Sequence, residues 1–345
     1  MTLIDEIEKL KKYMKKPTIY FYLPPEHHPE NIANATNAYE LLNYGGVHSW
    51  ILLTYLNLRA ENYPCELSSS LPSQGIVLAH RDLLPNKLQP KRDILLVCIQ
   101  AERGRHPFSQ IHIVQNPCQA LPQMMPRSDR YLFPGISFYM PHWTQPGLIP
   151  RSSQRGDKFE NIAFMGKAHN LAPELKSKEW QASLEELGLN WIVIQNPEKW
   201  HDYSDIDAIL AIRSFDKSTY PTKPASKLYN AWLAGVPAIL GNDSAFSLEQ
   251  KNDLDYVRVV TIKDAINAIE KLKSSPNLRS HIVANGKMRS QEIQPAVLVK
   301  KWRNFLVDIA IPSYYKWSNQ SEIKRKFFIF SRTIGLKIKT LSGTL

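Results

Sequence analysis

Cationic and hydroxyl side chains cluster at the start of one predicted helix. Lys223, Ser226 and Lys227 follow an apolar run that is typical of a buried strand. No acidic residue occurs between Lys217 and Asn242, although the positive end of a helix dipole favours Asp or Glu in the first turn. Backbone N–H groups, the dipole, one hydroxyl and two ammonium groups would together bind an anion at the carboxyl end of that strand. We therefore predict a diphosphate site here.

Two residues bound the helix of this site, and two further residues are added to the site itself. Pro224 suits the first turn of a helix and Gly235 suits a left-handed cap, which together predict a helix over 224–234. Arg213 ends the preceding strand, and its planar guanidinium group can reach the same phosphate oxygens. Gly166 follows another predicted strand and would allow the backbone to approach a ligand closely.

A proton-accepting group is predicted on the opposite side of the site. His80 and Asp82 follow the apolar run 75–79, so they lie at the carboxyl end of a predicted strand, where ligands gather in open α/β sheets. His80 is the candidate general base, while Asp82 either acts in its place or orients the histidine. The alternative is a loop histidine beside a surface pair formed by Arg81 and Asp82.

A metal site is not predicted. Asp205 and Asp207 spell the D-x-D pattern that metal-dependent transferases use, but Asp207 opens a predicted buried strand. The cysteines, three in number, show no C-x-x-C spacing, which argues against a zinc site and for a reducing compartment.

Two α/β halves must position these groups. Short continuous apolar runs, typical of strands buried on both faces of a parallel sheet, occur at 75–79 and 93–99 and again at 161–165. Between Pro107 and Pro150 lie eight of the 24 prolines, which predicts an extended connector. The expected fold class is α/β, with two Rossmann-like, doubly wound domains facing a cleft. The predicted parts are an acceptor-side domain 1–140, a linker 141–155, a donor domain 156–310 and a basic tail 311–345.

The composition is that of an ordinary globular protein and excludes collagen-like, disordered and disulfide-framework classes. The length of 345 residues fits two domains. The 43 Lys and Arg exceed the 32 Asp and Glu, and the formal charge of +11 favours anionic partners. The amino terminus lacks the apolar stretch of a secretory signal, and no apolar run is long enough to span a membrane, so a cytoplasmic location is predicted.

The carboxyl-terminal stretch 318–345 carries six basic residues against one acid, interleaved with aromatic and aliphatic side chains. This pattern predicts a basic amphipathic segment on an anionic membrane surface, at the inner face of the membrane. The alternative is a terminal helix that packs on the other domain and keeps a solvated basic face.

The run 226–241 resembles the donor-nucleotide motif of GT-B fold glycosyltransferases, including the fucosyltransferase-like pattern T-E-K-L-x-N-A-L-x-A-G-x-V-P-V. The segments 141–151 and 155–166 resemble the linker and first donor-domain strand of bacterial polysaccharide-type transferases. Most of the likeness lies within 155–310, whereas the first half matches mainly in its order of strands and helices.

This resemblance implies that Lys227 binds the donor diphosphate and that Asn230 shapes the nucleotide site. The sequence departs from the family in two places: Ser226 replaces a glutamate of the fucosyltransferase-like pattern, and Thr222 and Asn230 occupy the positions of two glutamates in the retaining pattern. The implied function is a metal-independent hexosyltransferase for polysaccharide or glycoconjugate synthesis. It would need no cofactor and would move a sugar from a nucleotide diphosphate donor to a glycan or lipid-linked acceptor.

Two other functions fit the sequence. The missing glutamates suit a catalytically inactive nucleotide-diphosphate-binding protein of the same fold. The net charge suits a basic nucleic-acid-binding protein, but the lysines cluster at one helix start and in the tail, without a recognition-helix or stacking-aromatic pattern. A nucleic-acid partner is therefore not predicted.

Overall fold

The computed structural model describes residues 16–28 and 45–342 of the chain. The other residues of the predicted first domain and the last three of the predicted tail lie outside the described residues. Within the described ranges, the strands are β1 Ile19–Tyr22, β2 Glu66–Ser68, β3 Gly75–His80, β4 Ile94–Ile99, β5 Ile111–Val114, β6 Ile136–Tyr139, β7 Asn161–Met165, β8 Asn190–Ile194, β9 Ala208–Ala211, β10 Ala238–Leu240 and β11 Val257–Arg258.

These strands form two parallel sheets. The first has the order β2-β1-β3-β4-β5-β6 and the second has the order β11-β10-β9-β7-β8. Every residue of β3 is buried, as are all but the first of β4, because helices and loops cover both faces of a parallel sheet. The predicted fold class, two α/β domains with parallel sheets facing a cleft, is confirmed.

The α-helices of the described residues are α1 Leu53–Ala60, α2 Arg127–Leu132, α3 Lys178–Glu186, α4 Ser226–Ala234, α5 Ser244–Glu249, α6 Ile262–Ser274, α7 Pro276–Ser290, α8 Pro295–Asn304, α9 Ile311–Ser318 and α10 Glu322–Leu341. The predicted helix 224–234 begins two residues later, at Ser226, and ends as expected at Gly235, which has a positive φ of 69°. The sequence also predicts one long helix over about 277–307, and this prediction is wrong as one unit. It is divided before Pro295, since proline cannot continue the hydrogen bonding of a helix interior.

The chain returns to the first domain after α7. Trp302 and Phe305 are fully buried in the core of the first sheet, and the Trp302 ring lies 6.5 Å from that of Trp50. The segment from α8 through the π-helical turn Phe305–Ala310 to α9 therefore packs against the first sheet. The predicted second domain, 156–310, therefore includes a segment, 295–310, that packs in the first domain. The reason is that the large apolar side chains of this segment are buried in the core of the first sheet.

Side-chain amides join the two domains beside the cleft. Asn116 follows β5, and its Nδ2 donates to the Lys223 carbonyl and to the Ser244 hydroxyl, both at 2.9 Å. Gln115 donates from Nε2 to the Thr222 carbonyl at 2.8 Å. Since both amides bind the loop that precedes α4, the first domain fixes the start of that helix relative to β3 and β4.

Asp207 holds the amino end of β9. Its buried carboxylate accepts hydrogen bonds from the guanidinium groups of Arg151 and Arg155 and from the backbone N–H of Glu160 and Asn161. The shorter of the two ion pairs of Asp207, Arg155 Nη2 to Asp207 Oδ2, measures 2.7 Å. This end of the strand is opposite to the end that faces the cleft, so Asp207 joins the linker to the second sheet.

In the described part of the chain, no helix combines the length and apolar character needed to cross a bilayer.

Replacing Asp207 with Ala should lower the free energy of unfolding by about 2–4 kcal/mol, because the change leaves two backbone N–H groups without their acceptor and two partly buried guanidinium groups without this carboxylate. Asp205→Ala is the matched control. The Asp205 side chain is 81% exposed, and its ion pair with Arg155 is long, at 3.7 Å. Its loss should therefore cost less than about 0.5 kcal/mol. Urea unfolding followed by circular dichroism measures both, and equal effects would contradict this role of Asp207.

Candidate functional site

A cavity of about 630 Å³ lies between the carboxyl ends of the two sheets. The predicted site residues all line it: His80, Asp82, Gly166, Arg213, Lys223, Ser226, Lys227 and Asn230. They come together because β3, β7 and β9 end at this cleft and α4 begins there. Gly45 and Gly46 of the first domain also line the cavity.

Lys227 brings an unneutralised ammonium group to the cleft. Its Nζ lies 6.0 Å from the Phe164 ring centre and 5.6 Å from that of Trp200. No carboxylate of the described residues pairs with it. Burial, aided by the positive charge of Arg213, lowers the pKa of Lys227 to about 8. An anion in the cleft would reverse this effect, since an opposite charge favours the protonated amine.

Gly166 makes room for that ammonium group. A Cβ at this position would lie 3.6 Å from Lys227 Nζ and 3.0 Å from the Phe164 ring. Any side chain longer than a methyl group would therefore extend into the space beside the ammonium group. The prediction that Gly166 permits close approach at this strand end stays a prediction, and the crowded surroundings are consistent with it.

The first turn of α4 is uncapped. Its N-cap residue is Ala225, which has no side chain able to accept a hydrogen bond. Among the described residues, the backbone N–H groups of Ser226 and Lys227 have no acceptor. Free N–H groups and the helix dipole make such a terminus attractive to anions, and this helix directs it into the cavity lined by both residues.

Arg213 is held by polar partners rather than free. Its Nε donates to Asp243 Oδ2 at 2.8 Å and its Nη1 donates to Asn170 Oδ1 at 2.5 Å. Asp243, which follows β10, also lines the cavity. Burial raises the pKa of Asp243, although the adjacent guanidinium opposes this shift. The pair orients the Arg213 fork, but part of its charge is already balanced.

Lys223 and Asn230 have structural partners too. The Lys223 ammonium pairs with Glu102 of the first domain, across the cleft. Asn230 is buried, and its Oδ1 accepts a hydrogen bond from the Gln145 backbone N–H of the linker at 3.3 Å. Of the predicted cations, Lys227 is therefore the one that the described residues leave without an acidic partner.

His80 reaches the cavity from the end of β3 and is almost fully buried. Its Nδ1 accepts a hydrogen bond from the Asp82 backbone N–H at 3.2 Å, so the neutral ring carries its proton on Nε2. Burial lowers the pKa of His80 to about 4, despite the nearby Asp82 carboxylate. Nε2 has no partner among the described residues. A neutral and buried N–H donor therefore lies in the wall of the cleft, behind Gly46, where a Cβ would lie 3.4 Å away.

Asp82 is engaged with an arginine. Its carboxylate accepts from Arg103 Nε at 2.8 Å and from Nη2 at 3.2 Å. Partial burial would raise the pKa of Asp82, but the hydrogen bond and the positive charge of Arg103 outweigh it and lower the pKa. Asp82 therefore stays ionised, and Arg103 occupies both of its oxygens.

The sequence pattern did not reveal the counterions of this site. Glu102 and Arg103 lie in the loop after β4 and Asp243 lies in the loop after β10, and only the fold brings them to the cleft. The position of Asp243 three residues beyond a strand end is the sequence signal that could have indicated it. Within 16–28 and 45–342, no group of three or more His, Cys, Asp or Glu side chains is arranged to hold a metal ion.

The chain is similar to several solved structures. These include HepE of Anabaena in complex with UDP, at 11% identity and a TM-score of 0.48, with coverage of 85% of this chain and 100% of HepE. The pneumococcal O-GlcNAc transferase GtfA, with UDP and GlcNAc, follows at 11% identity, a TM-score of 0.47 and coverage of 75% and 60%. Sucrose-phosphate synthase of Thermosynechococcus elongatus has 11% identity, a TM-score of 0.44 and coverage of 79% of both chains. No family model and no curated protein matches the sequence.

Binding of a nucleoside diphosphate should weaken as the pH rises through about 8, the pKa of Lys227 in the empty cleft. The anion favours the ammonium form, so above that pH each binding event must take up a proton. The terminal phosphate is itself fully ionised above about pH 7. Affinity should fall by up to about tenfold per pH unit, and calorimetry in buffers of different ionisation enthalpy should detect the proton uptake.

Lys227→Met serves as the control, because it keeps the length of the side chain and removes the titrating group. It should bind more weakly at pH 7 and lose the dependence above pH 8. Lys223→Met should keep that dependence, since its partner is Glu102. A pH profile that is the same in all three proteins would exclude Lys227 as the titrating contact.

Proposed function

We propose that this chain is a glycosyltransferase that takes a sugar from a nucleoside diphosphate donor and places it on a hydroxyl group of a glycan or lipid-linked acceptor. The single observation that carries the proposal is the unneutralised Lys227 ammonium beside the uncapped start of α4, at the cleft between two parallel α/β domains. The sequence likeness of 226–241 to a donor-nucleotide motif supports it independently.

The cleft has the size and charge for such a donor. A cavity of about 630 Å³ lies within the range of sites for small ligands and cofactors. The diphosphate would lie against the backbone N–H groups of Ser226 and Lys227, with Arg213 directed by Asp243 toward its oxygens. In this proposal the sugar lies between the first turn of α4 and the end of β3.

In the transfer step, the bond between the anomeric carbon and the diphosphate oxygen breaks, and its electron pair stays on that oxygen. The acceptor oxygen bonds to the anomeric carbon, and its proton passes to the released diphosphate or to water. Negative charge grows on the leaving diphosphate, so Lys227 and the helix dipole stabilise the transition state more than the ground state. Protein cations can thus do this work without a metal ion, in line with the metal-independent activity that we propose.

His80 has a different role from the predicted base. With its proton on Nε2 and its Nδ1 bonded to the Asp82 backbone N–H, it is a hydrogen-bond donor. We assign it to an oxygen of the transferred sugar. To act as the base, it would have to move its proton to Nδ1 and give up that backbone hydrogen bond. Asp82 is held by Arg103, so its part is to fix the end of β3.

The donor-binding protein without activity remains a second candidate, and one observation favours it. Neither His80 nor Asp82 presents a free basic atom to the cleft in its present state. Both candidates require nucleotide-sugar binding, and only the transferase requires turnover.

A panel of nucleotide sugars, followed by thermal shift and by release of the nucleoside diphosphate, tests the proposal. The wild-type protein should be stabilised by at least one donor and should release its nucleotide faster with an acceptor present. Lys227→Met should reduce turnover by about 10²–10³-fold, the typical cost of losing one group that stabilises a developing anion.

The matched variant Lys223→Met should reduce turnover by less than about tenfold, because Glu102 already neutralises that lysine. Lys227→Met should fold at least as stably as the wild type, since it removes a partly buried charge that lacks a carboxylate partner. Donor affinity equal to wild type in Lys227→Met would overturn the assignment. Tight donor binding without turnover would favour the second candidate.

Two substitutions at His80 distinguish a donor from a base. Gln keeps an N–H donor but cannot accept the acceptor proton as a base, whereas Leu does neither. If His80 donates, Gln should stay within about tenfold of wild-type turnover and Leu should lose about 100-fold. Equal losses in the two variants, measured at saturating donor, would instead assign His80 as the base.

A further inference from the structure

The terminal helix α10 exposes an apolar face to solvent, which is not expected of a helix that only packs on its own protein. Six large apolar residues recur at intervals of three or four along it: Ile323, Phe327, Phe330, Ile334, Ile338 and Leu341. They are between 42% and 88% exposed. This spacing places them in one stripe along the helix. The stripe extends over nearly the whole helix, whose 20 residues measure about 30 Å.

The opposite face of α10 is the one bound to the protein, and it combines Phe328, which packs against Trp317, with buried basic side chains. Lys339 is buried and its Nζ lies 2.6 Å from Asp129 Oδ1, on α2. Arg332, also buried, directs its guanidinium toward the Leu132 carbonyl. A Cβ at Gly335 would approach the same carbonyl to 2.8 Å, so only glycine permits this contact. These contacts fix the rotation of the helix and keep the apolar stripe outward.

Lysines border the stripe on both sides. At 100° per residue, Lys326 and Lys337 lie along one edge and Lys324 lies along the other. All three side chains are exposed. Long basic side chains at the edges of an apolar face can reach headgroup phosphates while the apolar groups enter the acyl region.

A cationic groove continues this surface. It has a volume of about 500 Å³ between α10 and the loop before β4, and its lining includes Arg92, Arg325 and Lys326 together with Phe330 of the stripe. Glu322 balances one of these charges through its ion pair with Lys326. The groove therefore has a net positive charge directly beside exposed apolar groups, which complements an anionic headgroup joined to an acyl chain.

We propose that the face of α10 formed by the apolar stripe and its bordering lysines lies flat on an anionic lipid bilayer. Phe327 and Phe330 enter the boundary between headgroups and acyl chains, and the groove receives a headgroup phosphate. This placement follows from the exposed apolar stripe and its bordering lysines and is independent of the transferase reaction. It extends the predicted role of the basic tail by naming the apolar face that makes the contact.

Flotation of the full-length chain with vesicles tests this proposal. Vesicles of phosphatidylcholine rich in phosphatidylglycerol should bind the protein, and vesicles of phosphatidylcholine alone should bind it at least about tenfold more weakly. Phe327→Ser with Phe330→Ser should weaken binding by at least about tenfold. Replacing Lys324, Lys326 and Lys337 with Gln should cost up to about fivefold per lysine on the anionic vesicles.

The control is Met288→Ser with Val307→Ser, which removes two apolar side chains that are 67% and 50% exposed on other elements. It should float like the wild type. Circular dichroism and nucleoside diphosphate binding of all variants would show that the fold is retained. Wild-type protein that binds neither vesicle, or a phenylalanine variant that binds as well as the wild type, overturns the proposal. Self-association that needs Phe327 and Phe330, without vesicle binding, would assign the stripe to a second copy of the chain.

Discussion

An ammonium group without a carboxylate partner among the described residues gives the cleft its positive charge. Lys227 lies between two aromatic rings, beside a glycine and at the uncapped start of a helix. The two rings attract the ammonium group only modestly, neither the glycine nor the helix start balances its charge, and burial disfavours that charge. These surroundings favour the charged lysine once an anion such as a diphosphate occupies the space beside it. The other cations of the site, Arg213 and Lys223, have acidic partners that hold them in position.

The seam between the domains makes that arrangement possible. Asn116 and Gln115 bind backbone carbonyls of the loop before α4, so the first domain supports the second at the point where the helix begins. Tyr139 adds a third contact, because its hydroxyl bonds to that of Tyr229 on α4 at 2.9 Å. The start of the helix and the end of β3 are consequently held as one structure.

The sequence predicted much of the fold, because buried parallel strands are continuous apolar runs. The sequence predicts strands at 111–114, 161–165 and 190–194, and these bounds agree with β5, β7 and β8. Short strands such as β2, with only partial burial, lacked that signal. Residues 295–310 were harder, since apolar periodicity predicts a helix but does not tell which of two cores will receive it.

The same distinction applies to the site. Strand ends predicted which side chains meet in the cleft, because the carboxyl ends of parallel strands share one edge of a sheet. The state of those side chains depends on partners distant in sequence. Asp243 forms an ion pair with Arg213, and Glu102 forms one with Lys223. The proton position on His80 depends on one backbone N–H group, which no spacing of residue types encodes.

The return of Trp302 and Phe305 to the first core means that the second sheet is inserted within the first domain rather than appended to it. Two covalent crossings therefore connect the lobes, one entering and one leaving. A pair of tethers restricts relative rotation to bending about the line that joins them. Any opening of the interdomain space would therefore be a hinge motion about that axis.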